Sequence, residues 1–570
     1  MPSNGPSLLS ANRAQADELT TIDAFLTNIA GEFGPFQWRH FALVVSAQAT
    51  CGILTLSMVF TGRAPSYGPG VRANSSSPLQ CAASTSQLVR TWESTTSEWA
   101  LVCDDAFMAP LMGTLYFVGF GVGASFLGSL ADRFGRLPCA RRAAALCAVA
   151  TLASALAPSP FFYLVCRALV GVGVGGLQAS AYVLAAEMIG PSWQALTGTA
   201  QSAVFSIGAL ALAPLSLAVS SWRALTALTA LAPLVQAVAF RGAHESPRWL
   251  HSQGHSLAAA RLLQLIALEN GADCPSPPRL AQPSAPSDAP PDALPDAPLD
   301  VPLDASPAAS PHGGLGAGAL DDDASSRLTE QPPMASSPAR EAVGAPSSLP
   351  PFARASSGAP AAAAASVLDL YRSRVLRART LAMVYCWFAV SFTYYGLALN
   401  AGNLGDSLHA QFALSISVDL PGYVACAHFL SRAGRRRTTA VGFTVGGISC
   451  AVCLLLPAGP WTVAAATVGK FFVTVAFGAV FVYAAEIFPT SLRTAALGLC
   501  STGARVGGAA APLAITLGAV APWLPLGVFG LVALMAGVAS AALLPETLGR
   551  PLAATVAECE RRALPAILQG

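Results

Sequence analysis

Three ionisable side chains lie in strongly apolar parts of this chain, where a charge is costly unless it faces water, a partner or an ionic ligand. They are Asp419, Lys470 and Arg505, and Lys470 is the only lysine among the 570 residues. A carboxylate, an ammonium and a guanidinium in such positions indicate the binding of a small ion. No pair of nucleophile and base is recognisable, so we expect no enzyme and no catalytic residue.

Arg505 is the most informative of the three, because it keeps its charge and its planar fork matches a carboxylate or a sulfate. It follows Arg493 by about three helical turns, roughly 18 Å, which places it well inside a membrane span. Contact with a substrate is one interpretation, and a structural ion pair with Asp419 or another buried acid is the alternative. Lys470 could neutralise Asp419 or attract an anion, and Asp419 could hold a cation or a co-transported proton.

The composition excludes an ordinary cytosolic enzyme. Charged residues make up 11% and hydrophobic residues 53% of the chain, whereas a soluble domain contains about 25% charged residues. The net charge of +2 gives no indication of a nucleic-acid partner. The sequence shows no nucleotide-binding loop and no convincing set of metal ligands, so we expect no cofactor and no metal.

Apolar runs of about 17–25 residues, long enough to cross a bilayer, occur as six, a gap and six more. This pattern predicts an all-α membrane protein with twelve transmembrane helices in two homologous six-helix halves. The predicted spans of the first half are Phe41–Phe60, Met108–Leu130, Ala140–Ala157, Phe162–Ile189, Ala195–Val219 and Leu225–Phe240. Those of the second half are Thr380–Asn400, Gln411–Leu430, Thr438–Leu456, Trp461–Ile487, Ala495–Leu517 and Leu524–Leu544.

The spans divide the chain into five parts. The predicted parts are a cytoplasmic N-terminal segment (1–37), a first half (38–250) with a large extracellular loop (61–105), a cytoplasmic linker (251–379), a second half (380–548) and a cytoplasmic tail (549–570). Within the linker, the sequence of His251–Asn270 predicts a helix. Residues 275–365 are rich in proline, alanine and serine and predict a disordered tether, whose partner is unknown.

Arginine placement predicts the orientation, because short arginine-rich loops are retained in the cytoplasm. The connections after the second and eighth spans are the arginine-rich ones, which makes both termini and the linker cytoplasmic in a multi-pass membrane protein. The halves are also related by one offset, since adding 299 carries Arg136 onto Arg435 and Glu187 onto Glu486. Two homologous halves joined by a linker indicate a transporter that rocks around a central site.

The large outer loop carries two features of extracellular proteins. Asn74 begins a glycosylation sequon, which predicts a glycoprotein. Cys81 and Cys103 lie in its polar part and suggest at most one disulfide, which an oxidising compartment would allow.

Several motifs are shared with a known superfamily. Residues 128–136 (GSLADRFGR) resemble the cytoplasmic loop signature of the major facilitator superfamily, and 244–250 (HESPRWL) with 544–547 (LPET) narrow it to sugar porters and organic-ion transporters. Residues 31–37 (GEFGPFQ), 98–103 (EWALVC) and 394–400 (YYGLALN) are similar to the second group. The chain is therefore identified as a member of the organic cation/anion/carnitine transporter family of solute carriers.

This resemblance assigns roles to the central residues. Arg505 stands where anion and carnitine carriers have arginine and animal cation carriers have aspartate, and Asp419 is similar to the anion branch. Lys470 matches the family broadly. Substrate contact is also expected for four aromatic residues that match cavity positions, with packing as the alternative: Phe477, Phe481, Tyr394 and Tyr395. Two departures are Gln194, where an arginine is expected, and Leu217, where the anion carriers have an aromatic.

Charges at the cytoplasmic helix ends are expected to form a gate, because exposed ion pairs cost little to break and remake. Simple retention of arginines inside is the alternative, and the two roles are compatible. The expected gate residues are Asp132, Arg133, Arg136, Glu187, Arg432, Arg435, Glu486 and Arg493.

The function predicted from these features is secondary-active or facilitative transport of small organic ions by alternating access at the plasma membrane. Anions or zwitterions are favoured, and an organic cation transporter is the alternative within the family. A receptor or scaffold on the same fold is the alternative of another class, against which the retained gate charges argue. The lipid bilayer and the carried ion are the expected partners, and a counter-ion or an exchanged carboxylate stays open.

Overall fold

The computed structural model describes residues 21–63, 66–67, 88–89, 93–280, 368–403, 407–457, 459–489, 492–550, 553 and 556–561. Asn74 and Cys81 lie outside the described residues, as do most of the predicted tether and the side chain of Cys103. The described residues belong to one compact unit, which comprises Met1–Pro283 and Ala364–Gly570.

Twelve long helical segments run through the described residues, at the twelve predicted positions. The first six, the N-half, are α1 (Pro35–Leu56, continued by Met58–Thr61), α2 (Met108–Phe134), α3 (Arg136–Ala155), α4 (Pro160–Glu187), α5 (Gln194–Leu210, continued by Leu212–Ala218) and α6 (Trp222–Thr229, continued by Leu231–Ala239). The other six, the C-half, are α7 (Arg374–Leu399), α8 (Leu408–Ser417, continued by Asp419–Arg432), α9 (Arg435–Cys453), α10 (Pro460–Ile487), α11 (Arg493–Ile515) and α12 (Leu524–Leu543).

Nine of these helices are long and apolar enough to cross a membrane, within the part of the chain that the structure describes. The other three are α3, α9 and α11, with 20, 19 and 23 residues. Each of them begins with an arginine and is rich in alanine, glycine or threonine, which lowers its mean hydropathy. Their length still suffices for a span of about 20 residues.

Short elements cover the ends of the bundle. The short helices are Ile22–Phe25, Leu26–Ala30, Thr95–Glu98, Cys103–Asp105, Pro191–Trp193, Phe240–Gly242, Pro247–Ser252, Ser256–Glu269, Asp369–Arg372, Asn400–Asn403, Thr516–Ala519 and Val556–Arg561. Two strands, Ser66–Tyr67 and Leu88–Val89, pair antiparallel with Ser66 opposite Val89.

The prediction of one helix over His251–Asn270 is wrong in its continuity. One helix, Pro247–Ser252, ends there and a second, Ser256–Glu269, begins after a turn. Gly254 in that turn has a φ of +84°, a conformation that glycine adopts without steric cost and that ends a helix. The second helix buries Leu262, Leu263 and Ile266.

Glycines allow helices of one half to approach closely. A Cβ on Gly119 of α2 would overlap the carbonyl oxygen of Ala168 in α4, and one on Gly171 of α4 would overlap that of Tyr116 in α2. Gly507 of α11 occupies an equivalent position against the α7 backbone. Small residues at such contacts are the usual means of packing helices in a membrane, where the hydrophobic effect between helices is absent.

The bundle has two ends, named here by their longest connections. The loop end is where α1 ends and α2 begins. The linker end is where α6 ends and α7 begins.

The two halves contact each other near the loop end. On α2, Thr114 Oγ1 donates to the carbonyl oxygen of Ala509 in α11 over 2.9 Å, and Phe117 is 1% exposed. The same face of α2 continues through Ser125 and Ser129, both of which are exposed. The halves are therefore closed together at the loop end and separate toward the linker end.

Candidate substrate site

A fully buried carboxylate lies at the break in α8. Lys470 Nζ of α10 is 3.5 Å from Asp419 Oδ1, and the two side chains are 1% and 0% exposed. Tyr394 donates its hydroxyl to Asp419 Oδ2 over 2.7 Å, and Thr474 donates to Oδ1 over 2.6 Å. Ser206 of the N-half donates to Oδ2 over 3.1 Å. The carboxylate is thus paired with one cation and accepts bonds from three hydroxyls.

Lys470 is held by two groups at once. Besides the carboxylate of Asp419, its Nζ lies 2.9 Å from the centre of the Tyr394 ring, whose face attracts a cation. Lys470 is predicted either to neutralise Asp419 or to attract an anion, and the structure places it in contact with Asp419. Removing one partner of such a buried pair typically costs about 3–5 kcal/mol, because the other charge stays buried alone.

Arg505 has a different environment from Lys470. Its Cζ lies 4.3 Å from the centre of the Phe120 ring, and its Nε has no hydrogen-bond acceptor. The residue is half-buried, and no carboxylate of the described residues pairs with it. The structural ion pair between Arg505 and Asp419, the predicted alternative, is absent from this part of the chain. The N–H groups of a guanidinium are suitable donors for an anionic group.

The predicted aromatic residues form a connected line in the C-half. Ring centres are 5.2 Å apart for Tyr395 and Tyr394, 5.2 Å for Tyr394 and Phe477, and 5.6 Å for Phe477 and Phe481. Trp387, which the sequence analysis missed, extends the line at 4.3 Å from Phe481. Phe481 is 39% exposed, so the line reaches an open surface. An aromatic surface of this kind suits flat amphiphilic ions.

The N-half contributes three glutamines that the sequence analysis also missed. Gln48 Nε2 donates to Gln201 Oε1 over 3.3 Å, and Gln178 Nε2 donates to Gln48 Oε1 over 3.4 Å. Gln201 Nε2 is buried without an acceptor among the described residues. Polar side chains from three apolar helices, α1, α4 and α5, were the signal that could have revealed them.

A second buried arginine escaped the sequence analysis as well. Arg167 of α4 is 2% exposed, and its Nη1 donates to Ser57 Oγ over 3.5 Å. Its Cζ lies 4.8 Å from the centre of the Tyr116 ring, and its Nη2 has no acceptor among the residues described. A lone charge within a 28-residue apolar helix was visible in the sequence.

The expected gate charges form one cluster in each half at the linker end. Arg136 Nη2 is 3.1 Å from Glu187 Oε1, and Arg136 Nη1 is also 3.1 Å from Asp132 Oδ1. In the C-half, Arg435 Nη2 is 2.8 Å from Glu486 Oε1. Each of these ion pairs lies within its own half.

The remaining gate candidates lie near these clusters. Arg133 and Arg432 are exposed, and the Arg133 guanidinium lies 5.4 Å from the ring of Phe134. Arg493 is half-buried at the first turn of α11. The structure therefore brings Arg136 and Arg435 into ion pairs, and it leaves Arg133 and Arg432 in solvent.

Each cluster includes a second glutamate, which accepts hydrogen bonds from the backbone N–H groups at the start of α3 or of α9. Glu245 accepts from Arg136 N (3.2 Å) and Leu137 N (3.1 Å), and Glu546 accepts from Arg435 N (2.8 Å) and Arg436 N (3.2 Å). Burial raises the pKa of Glu245 despite these bonds. Burial acts in the same direction on Glu546, but its several backbone donors outweigh it and lower the pKa.

Comparison with known proteins identifies the family. A family model described as "Sugar (and other) transporter" matches residues 54–274 and 354–557. A solute carrier family 22 member 15-like protein of Xenopus tropicalis is 28% identical over 96% of this chain and 98% of its own length. Organic cation/carnitine transporter 4 of Arabidopsis thaliana is 30% identical over 95% of this chain and 91% of its own.

A solved structure shows the same fold. The inward open conformation of the xylose transporter XylE from E. coli matches with a TM-score of 0.54 at 13% identity, over 92% of this chain and 99% of that one. The curated relatives are transporters and not enzymes. The chain belongs to the major facilitator superfamily, in its organic cation, organic anion and carnitine transporter family, and is a multi-pass membrane transporter.

Proposed function

We propose that this protein carries small organic anions, or zwitterions through their carboxylate, and that Arg505 binds the anionic group. The observation that carries the proposal is the balance of charge at the centre. Asp419 is the only carboxylate of the twelve helices that lies away from their ends, and it is neutralised by Lys470 and three hydroxyl donors. Arg505 has no such partner, so the centre carries a positive charge.

The arrangement of the halves supports transport by alternating access. The site is closed toward the loop end by the contact of α2 with α11, and it is open toward the linker end along the exposed serines of α2. Because arginines are concentrated at the linker end, we assign that end, both termini and the linker to the cytoplasm of the plasma membrane. Opening to the outside then requires α2 to leave α11 and Ser206 to release Asp419.

The clusters of Arg136 and Arg435 are proposed as parts of the cytoplasmic gate. Their ion pairs are partly exposed and lie at the end where the halves are apart. Such pairs can be exchanged for contacts across the halves at little cost, as a cycling gate requires.

Organic cation transport is the second candidate function. The aromatic line from Tyr395 to Trp387 favours it, because ring faces attract quaternary ammonium groups. Relatives named organic cation transporters exist in Drosophila melanogaster and Arabidopsis thaliana. A zwitterion would use both features, with its carboxylate on Arg505 and its ammonium on the rings.

Uptake measurements test the proposal. Cells that express the chain are given labelled benzoate or labelled tetraethylammonium, with surface biotinylation to confirm delivery to the plasma membrane. We expect benzoate uptake that Arg505→Asp abolishes and Arg505→Lys, the matched control that keeps the charge, retains in part. Tetraethylammonium uptake indifferent to Arg505 would instead favour the cation carrier, and no uptake of either at normal surface density would favour a receptor or scaffold.

A further inference from the structure

Arg167 is a buried cation that the proposed transport site does not use. Its side chain contacts Ser57 of α1 and Tyr116 of α2 in the N-half, and Arg505 belongs to α11 of the C-half. The Arg167 guanidinium lies over the Tyr116 ring and that of Arg505 over the Phe120 ring, and the two ring centres are 6.3 Å apart. The two arginines are thus neighbours but separate binding positions.

The described contacts of Arg167 do not compensate its charge. They are one long hydrogen bond to Ser57 and the face of the Tyr116 ring. Both are weak compared with the loss of hydration of a guanidinium, and arginine cannot release its proton to escape that loss. Buried charges are normally paired with an opposite charge, so the surroundings of Arg167 call for an anion.

Arg167 meets α1 at Ser57, in the last turns of that helix before the loop end. The backbone stays helical there, because Ser57 N donates to the carbonyl oxygen of Ile53 over 3.0 Å and Ser57 O accepts from Thr61 N over 3.1 Å. The Ser57 hydroxyl donates to the carbonyl oxygen of Leu54 over 2.9 Å. Tyr116 adds a hydroxyl that exchanges a 2.8 Å hydrogen bond with Thr55. Because these hydroxyls are engaged within the protein, the Nη2 N–H group of Arg167 is the donor that is left for a small anion among the described residues.

The position of Arg167 also relates it to the closure between the halves. Phe117, next to Tyr116, packs against Tyr395 of the C-half at 4.7 Å between ring centres. Gly113, one turn further toward the loop end, lies against Pro512 and Met58. Arg167 therefore lies directly behind the surface that must open when the halves separate at the loop end.

We propose that Arg167 forms a second anion site, which takes a small monovalent anion on its Nη2. The ligand is either an inorganic halide such as chloride or the carboxylate of the carried ion on its way through the N-half. The site does not depend on the proposed function, because the charge of Arg167 needs compensation whatever the substrate is.

The test is the thermal stability of the purified full-length chain in detergent, in sodium gluconate, sodium chloride or sodium benzoate at equal ionic strength. For the wild type we expect a rise in Tm of about 2–5 °C in the presence of the bound anion. Arg167→Met should lose this rise, whereas Arg505→Gln should keep the rise that chloride produces. In gluconate, Arg167→Met should be at least as stable as the wild type, because it removes an uncompensated charge.

The outcomes separate the two ligands and the two proposals. A rise with chloride that depends on Arg167 assigns the site to a halide, and a rise with benzoate that depends on Arg167 but not on Arg505 assigns it to a carboxylate. A rise that Arg167→Met leaves unchanged, or no rise with either anion, overturns the inference. If Arg167→Met does not fold, Arg167→Lys, which keeps the charge but removes Nη2, should raise the midpoint of the anion titration about threefold, and an unchanged midpoint would count against the site. Loss of the benzoate effect in Arg505→Gln alone concerns the proposed function only.

Discussion

The N-half and the C-half share their linker-end clusters but differ in their interiors. Arg136 and Arg435 each bind a glutamate of the same half, and each donates to a carbonyl oxygen of the preceding helix over 3.0 and 3.2 Å. Inside the bundle, the C-half contains an ion pair, an arginine without a carboxylate partner among the described residues, and a line of rings. The N-half contains three glutamines bonded to one another, Gln48, Gln178 and Gln201, and the buried Arg167.

This difference distinguishes two kinds of feature. Both halves need the ion pairs at their helix ends, whereas one half alone can supply the side chains that bind the substrate. A rocking transporter must open and close each half against the other, so the contacts at the helix ends are duplicated. One cation on one side of the cavity suffices to bind the anionic group of an organic anion or a zwitterion. The chemistry can therefore diverge between the halves while the framework repeats.

The largest expected effect is on the ion pair of the C-half. Lys470→Met leaves Asp419 buried and unpaired, which should lower the free energy of unfolding by about 3–5 kcal/mol and reduce the amount of folded protein. The double substitution with Asp419→Asn should recover most of that loss. Fluorescence-detected size-exclusion chromatography measures both, and a double variant no better than the single one would contradict the pairing.

The second prediction compares a substitution inside the C-half with one inside the N-half. Arg505→Gln should reduce uptake of an organic anion about 30-fold, because it removes a charged hydrogen-bond donor. Gln201→Ala in the N-half should reduce it about fivefold at most, since a neutral bond contributes less. Initial uptake rates normalised to surface density check both values. Equal losses would show that the N-half binds the substrate as strongly as the C-half.

The framework could be predicted from the sequence because it depends on hydrophobic length and on repeated motifs. The choice of partner for Asp419 could not, since Lys470 and Arg505 are both cations inside apolar helices. Only the packing of α8 against α10 decides between them. The break before Asp419 does have a local signal, because Pro421 has no N–H group to bond the carbonyl oxygen of Ser417. Arg167 was likewise visible and was missed.

The third effect concerns the duplicated clusters. Glu187→Gln and Glu486→Gln each weaken one ion pair, by about 1 kcal/mol for partly exposed groups, and should change the maximal uptake rate about fivefold. Glu486 additionally accepts from Thr547 Oγ1 over 2.6 Å, a bond described for the C-half. We therefore expect the larger change from Glu486→Gln.

Thr547→Val is the matched control for that asymmetry. It keeps the shape of the side chain and removes the additional donor to Glu486. Adding Glu486→Gln to it should then produce a change equal to that of Glu187→Gln. If the two glutamates still differ in this background, the asymmetry of the halves has another origin.

The smallest effect is a difference in the response of the two halves to pH. The pKa of Glu245 is raised above its ordinary value of 4.5, so the folded protein holds a proton that the unfolded chain has lost, and stability falls as pH rises above 4.5. The pKa of Glu546 is lowered, so its contribution to stability is present above pH 4.5 and is lost as pH falls below it.

The measurement is Tm against pH. Glu245→Gln should remove part of the fall in Tm above pH 4.5, and Glu546→Gln should remove part of the rise in Tm below it. The same change from both variants would mean that the two clusters are electrostatically alike, and the comparison of the halves would then depend on their interiors alone.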